Sequence, residues 1–166
     1  MTAPDGVAAD AGVTCRVAAD QGDLDACFAV RKEVFVAEQG VPEDLEYDEY
    51  DAGAVHVLAV RSGDGTPLGT GRLLTGAAAV VKNGDPDTGV GALGRLAVLR
   101  SARGLGAGAA LVGAIEEAAR ERGLTAVDLH AQTHALGFYE RLGYVAYGAE
   151  FLDAGIPHLA MRKALP

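Results

Sequence analysis

Cysteine is scarce in this chain of 166 residues: Cys15 and Cys27 are the only two. They cannot build a disulfide framework, and neither has a metal-type partner at close spacing. Both sit among apolar residues and read as small buried hydrophobes, which points to a reducing, cytoplasmic setting. Long apolar runs are also missing. Nothing approaches the roughly 18 residues a membrane span needs. The opening "MTAPDGVAADAG" has neither a basic n-region nor a continuous apolar stretch, so it does not read as a secretory signal. Residues 1–12 read as a loose Ala/Gly/Asp-rich tail, and 13–166 as one domain. Basic residues are few, 14 Lys and Arg against 23 Asp and Glu, for a formal net charge of -9. That balance argues against nucleic acid as a partner, since phosphate backbones demand clustered cations.

What is present is an ordinary globular mixture, 49% hydrophobic and 22% charged. "TCRVA" (14–18) predicts a short strand. Asp20 predicts a helix N-cap with Asp23 three residues on, and Leu24, Cys27, Phe28, Val34 and Phe35 recur at helical spacing up to about Glu38. "AVHVLAVR" and "PLGTGRLLT" flank "SGDGT", a hairpin signal. "AAAVV" reads as a third strand, followed by the turn "KNGDPDTG" and the strand "GALGRLAVL" (91–99). Leu111, Ile115, Ala118, Ala119 and Arg122 mark one face of a helix that Gly123 stops. "LTAVDLHA", a short helix in "HALGFYERL", and two last strands near "YVAYG" and "PHLAMRK" complete the order β-α-β-β-β-β-α-β-α-β-β. This is an α/β layer architecture, a mixed sheet with helices on its faces.

The stretch "RSARGLGAGAAL" (100–111) carries the chemistry. Between Thr88 and Ile115 there is no Asp or Glu, yet Arg95, Arg100 and Arg103 fall there. Gly104, Gly106 and Gly108 let backbone approach a ligand where a helix begins, so its open N–H groups and positive dipole end converge on an anion such as a pyrophosphate. A P-loop is excluded because no Gly-Lys-Ser/Thr follows. A dinucleotide fingerprint fits Gly104, Gly106 and Ala109, but residues 99–103 intervene between strand and first glycine, and Asp128 falls mid-strand.

Arg103-Gly-Leu-Gly106-Ala-Gly108 after "LGRLAVL" resembles the R/Q-x-x-G-x-G/A signature of the GNAT superfamily of acyl-CoA-dependent N-acetyltransferases. "GFYERLGY" (137–144) resembles that superfamily's F-Y-x-x-x-G-F/Y landmark. "VFVAEQGVPEDLEYDEYD", "AQTHALGFYERLGY" and "GIPHLAM" are similar to its ElaA/YjcF-like branch, and the likeness runs from about Thr14 to Lys163. The resemblance implies a single-domain GNAT-like fold, with a mixed, mostly antiparallel sheet and a central splay flanked by helices. It also implies a cytoplasmic enzyme that moves an acetyl or other acyl group from acetyl-CoA or another acyl-CoA to a primary amine, by direct attack in a ternary complex.

Carried over by position, the resemblance implies that Arg103, Gly104, Leu105, Gly106, Ala107, Gly108 and Ala109 hold the pyrophosphate. Leu96 and Val98 would pair with the pantetheine arm as though it were an extra strand. A backbone N–H near Ala97 or Val98 would stabilise the oxyanion. Gln132 and Phe138 would contact the cofactor. Tyr139 is the implied acid for the departing sulfur. For the base, Glu38, His56 and His158 compete with a water chain, and Glu38 and His158 are favoured. His130 and His134 lack the glutamate of a zinc motif, so no metal is expected. The acidic segment Glu43–Asp51 reads as an acceptor entrance that draws in a small cationic amine. The competing reading is a catalytically idle CoA- or nucleotide-binding sensor, with a nicotinamide-dependent oxidoreductase a third. A homodimer through the terminal strands is compatible with such folds.

Overall fold

A computed structural model describes residues 12–166; the tail expected over residues 1–12 falls almost wholly outside them. One seven-stranded sheet runs through the domain in the order β1-β2-β3-β4-β5-β7-β6. Its strands are β1 (Val13–Val17), β2 (Val55–Arg61), β3 (Pro67–Leu74), β4 (Val90–Val98), β5 (Ala126–Gln132), β6 (Val145–Asp153) and β7 (Ile156–Ala164). Every pairing is antiparallel except β4 with β5.

Local chemistry explains several elements. Helix α1 (Gln21–Arg31) starts where Asp20 Oδ1 accepts the Asp23 N–H at 2.8 Å, so Asp20 caps it as expected. The helix then widens into a π-helix over Lys32–Glu38, ending with the Gln39 N–H on the Val34 carbonyl. A single turn, α2 (Glu43–Glu46), follows. The β2–β3 hairpin closes through Asp64, which accepts from both the Thr66 N–H and its hydroxyl. Those two bonds, with help from Arg61, pull the Asp64 carboxyl down to about 2.

One element departs from the sequence reading. "AAAVV" is not a strand but part of helix α3 (Gly76–Asn83), stopped by Gly84 in the left-handed region at φ 67. Alanine is the strongest helix former, and three in a row outweigh two β-branched valines.

Helix α4 (Ala107–Glu121) lays Leu111, Val112, Ile115, Ala118 and Ala119 against Val57, Leu73, Val127 and Leu129. Arg122, expected on that face, is exposed beyond the helix end. The last helix, α5 (Leu136–Arg141), adds Tyr139, which packs with Tyr144 and Met161. On the opposite sheet face Cys27 is fully buried with Leu58 and Val60. Cys15 is half-buried, and burial pushes its thiol up to about 11. No helix among the described residues is long and apolar enough to cross a membrane.

Candidate active site

The parallel pair β4–β5 holds only from Val90↔Ala126 to Leu93↔Leu129. Beyond that, β5 stays with β7 as far as Gln132↔His158, while β4 stays with β3 as far as Val98↔Gly69. The two strands therefore part, and a cleft of about 1070 Å³ opens between them. A bulge sharpens the parting. Arg72 faces Gly94 and Thr70 faces Ala97, so Arg95 and Leu96 together oppose Gly71. Arg95 takes up the extra length at φ 53, a conformation that costs a non-glycine residue roughly 1–2 kcal/mol.

Side-chain chemistry holds that bulge. Arg95 Nε reaches Glu46 Oε1 at 3.1 Å, and Nη2 reaches Asp48 Oδ2 at 3.1 Å. Glu46 also accepts from Arg31, Asp48 from Arg72 at 2.8 Å, and Asp51 from both Arg31 and Arg72 at 2.8 Å. Arg31, Arg72 and Glu46 are almost completely buried. Three guanidinium groups and three carboxylates thus neutralise one another. The acidic segment expected to steer a cationic acceptor is, in half its carboxylates, a buried to half-buried strap that pins β4.

The alternation of an antiparallel ladder shows which backbone groups are available. The Leu99 N–H donates to the Leu68 carbonyl at 2.9 Å, so Ala97 also turns its polar groups to β3, and Leu96 and Val98 turn theirs toward the departed β5. The oxyanion donor expected near Ala97 or Val98 is therefore not Ala97. Leu96 and Val98 offer an open edge that an extended chain can join as a strand.

Past β4, a turn over Arg100–Ala102 leads to Gly104 at φ 89 and Gly106 at φ 84, which occupies the N-cap of α4 with no side-chain cap. The first N–H groups of α4 therefore have no partner within the helix. A Cβ at Gly104 or Gly106 would meet nothing within 4 Å, whereas one at Gly108 would lie 3.1 Å from Phe138 Cζ. Gly108 thus packs closely against Phe138, with little room for a larger side chain. Leu105 is 48% exposed and is not among the cleft-lining residues.

Glu38 occupies the same end, where Arg103 donates to it at 2.8 and 2.7 Å and Arg100 stands 3.4 Å away. Arg103 also donates to the Val98 carbonyl at 3.1 Å. The hydrogen bonds from Arg103 hold the Glu38 carboxyl below its ordinary range. A carboxylate so placed is a poor proton acceptor, and the base role expected of Glu38 does not suit it. His56 lies outside the cleft, its Nε2 on the Asp51 carbonyl.

The remaining candidates line the same cleft. Tyr139 is 8% exposed and lines the cleft beside Phe138; burial pushes its phenol well up, so it stays protonated. Gln132 bridges the mouth of the splay, donating to Gln39 at 3.0 Å with His134 Nε2 2.6 Å from its oxygen. His158, opposite Gln132, places Nδ1 2.6 Å from the Ile156 carbonyl. A carbonyl only accepts, so in the neutral ring Nδ1 carries the proton and Nε2 keeps a lone pair. Sequence reasoning missed the deep end of the cleft, formed by Lys82 of α3, Asp128 and His130 of β5, and Asp153. Asp128 carried a signal: a carboxylate amid the apolar strand "AVDLHA". Among the described residues no cluster of His, Cys, Asp or Glu is arranged to hold a metal ion.

The glycine turn, the uncapped helix start and the open β4 edge fit the diphosphate and pantetheine of coenzyme A, and comparison with known proteins agrees. The acetyltransferase (GNAT) domain family matches residues 18–165. The N-acetyltransferase YjcF of Bacillus subtilis is 40% identical over 148 residues, covering 89% of this chain and 96% of that protein. The crystal structure of an acyl-CoA N-acyltransferase from Pseudomonas aeruginosa superposes with a TM-score of 0.73 at 35% identity, over 92% of this chain and 98% of that one. Escherichia coli ElaA, at 23% identity, shares the fold with a TM-score of 0.75 over 91% and 99% of the two chains. A splayed parallel pair, a bulged β4 and a glycine-led helix start therefore belong together here: the chain is a member of the GNAT acetyltransferase family, an N-acetyltransferase that draws its acyl group from acyl-CoA.

Proposed function

We propose that the acceptor is a primary amine, acylated by direct attack while both substrates occupy the cleft. The diphosphate of acyl-CoA lies on the N–H groups leading from Gly104 into the first turn of α4, where the helix dipole favours an anion. The pantetheine arm runs along Leu96 and Val98 toward Gln132, Arg103 giving up the Val98 carbonyl as the arm arrives. The single observation that carries this reading is the separation of β4 from β5 beyond Leu93↔Leu129, which leaves one open strand edge leading from the anion site into the cleft.

The amine nitrogen attacks the thioester carbonyl carbon and a C–N bond forms. The developing oxyanion is met by the N–H of Leu96 or Val98. The C–S bond then breaks and its electron pair leaves on sulfur. His158 Nε2 takes the proton the amine sheds, acting as general base through its free lone pair. Tyr139 donates a hydrogen bond to the leaving thiolate. Because burial raises the phenol pKa, full proton transfer to a thiolate of pKa about 8.5 is uphill, and Tyr139 acts by charge stabilisation.

Release of thiol from acetyl-CoA, measured against a panel of primary amines, tests the proposal. Turnover with at least one amine, reduced in Tyr139→Phe without loss of CoA affinity, supports it. Tight CoA binding with no turnover on any amine would instead favour a CoA-binding sensor.

A further inference from the structure

The acidic strap leaves open what recognises the acceptor, since its buried carboxylates are already neutralised by arginine. One carboxylate at the cleft differs. Asp128 is fully buried, and its Oδ2 accepts from Arg162 Nε at 2.9 Å and from the Tyr147 hydroxyl. Its Oδ1 has no hydrogen-bond partner among the described residues. A buried carboxylate oxygen left without a donor is costly, and such groups in native structures have a reason.

The direction of the side chain supplies one. Along β5, Val127, Leu129 and Ala131 enter the core beneath α4. Asp128, His130 and Gln132 alternate with them and line the cleft. The local charges agree. Arg162 serves two carboxylates, Asp128 and Asp85 at 2.9 Å, so this trio carries one uncompensated negative charge. Asp153 adds another from the end of β6. Lys82 is the nearby cation, but its Nζ sits 5.2 Å from the centre of the Tyr50 ring. The strap is electrically balanced, whereas among the described residues Asp85, Asp128 and Asp153 stand against Arg162 and Lys82, one cation fewer than carboxylates.

Position excludes Asp128 from the reaction itself. It stands level with Ala92 in the ladder, four residues before Leu96, or about 13 Å along a strand. It is too far to receive the proton of a nitrogen attacking beside Leu96 or Val98.

We infer that Asp128 Oδ1 binds a second, cationic nitrogen of the acceptor, which makes the acceptor class a diamine or polyamine whose two nitrogens are separated by several methylenes. The inference rests on the amine-acyltransfer reading and names the subsite that selects within it. His130 lies between the two ends and lines the passage.

The test compares the α,ω-diamines from 1,3-diaminopropane to 1,6-diaminohexane with the monoamines of equal length, in wild type and in Asp128→Asn. Wild type should use its best diamine at least about tenfold more efficiently, in kcat/KM, than the matched monoamine, as a charge-assisted hydrogen bond implies. Asp128→Asn should erase that ratio through KM, leaving the monoamine rate and CoA affinity unchanged. Equal use of diamine and monoamine by wild type overturns the inference, and this comparison needs no variant to fold. An equal loss toward both amine types in Asp128→Asn also overturns it, since that marks a purely structural role. If wild type acylates no amine, the acyltransfer reading fails. The subsite is then judged by calorimetry, where diamine binding to wild type but not to Asp128→Asn supports it, and no diamine binding to wild type refutes it.

Discussion

Glu38 and Arg103, 65 positions apart in sequence, form a two-pronged ion pair at the mouth of the cleft, with N–O distances of 2.8 and 2.7 Å. The arginine that opens the glycine motif is thereby neutralised before any anion arrives. Glu38→Ala should free Arg103 and Arg100 for the diphosphate and tighten CoA binding about 2- to 10-fold, more at low ionic strength. Titration calorimetry at two salt concentrations checks this. Because Glu38 is a clamp, the pH dependence of kcat/KM should be the same in Glu38→Gln as in wild type.

The proton acceptor is separable by its acid limb. A histidine base works only when neutral, so kcat/KM should fall on the acid side as the base takes up a proton. That limb should disappear, at a rate reduced about 10²-fold or more, in His158→Gln. Burial lowers the pKa of neighbouring His130, which keeps it neutral at pH 7, and His130→Gln should leave the limb in place. A limb lost with His130 and kept without His158 would move the base to β5.

Gly108 and Phe138 make a packing pair. A methyl at Gly108 would lie 3.1 and 3.3 Å from two Phe138 ring atoms, so Gly108→Ala should cost about 1–3 kcal/mol of stability by overpacking. Adding Phe138→Leu should recover part of it. Thermal unfolding of the single and double variants measures the coupling.

The strap predicts both a stability loss and a pH dependence. Removing Glu46 leaves three guanidinium groups sharing Asp48 and Asp51, and Glu46→Ala should destabilise the fold by about 3–5 kcal/mol. Burial alone would raise the carboxyls of Asp48 and Asp51, but hydrogen bonds from Arg72 to the first and from Arg31 to the second, with the nearby positive charges, hold both below their ordinary range. A folded-state pKa below the unfolded value of about 3.9 contributes stability that is present above that pH and lost as pH falls through the folded value. Wild-type Tm should therefore drop steeply below about pH 4, while Asp51→Asn starts lower at pH 7 and responds more weakly to acid.

Much of this was legible in the sequence where the determinants are local. The Asp20 cap, the "SGDGT" hairpin and the glycine-led start of α4 each depend on residues a few positions apart, and each stands as read. The "AAAVV" segment misled because a short apolar run has no period of its own, and alanine propensity settled it as helix. The strap was hidden for another reason. Arg95 and Glu46 are 49 positions apart, and a run of carboxylates looks the same whether it faces solvent or buried guanidinium groups. The absence of carboxylates between Thr88 and Ile115 likewise suggested open arginines, whereas Glu38, Glu46 and Asp48 reach them through space. Asp128 was visible as a charged residue in an apolar strand, but only its Oδ1, unpartnered among the described residues, gives that a meaning.

The measurement that tests the central claim most directly is calorimetric titration of the purified chain with CoA, repeated with Gly106→Val. A valine there must adopt φ 84 at the N-cap of α4, which a β-branched residue tolerates poorly, and its side chain fills the space over the open N–H groups. The account predicts saturable binding to wild type and a loss of at least about tenfold in affinity in the variant, with the fold retained. Folded wild-type protein that binds no CoA, or a Gly106→Val variant that binds it as tightly as wild type, would contradict it.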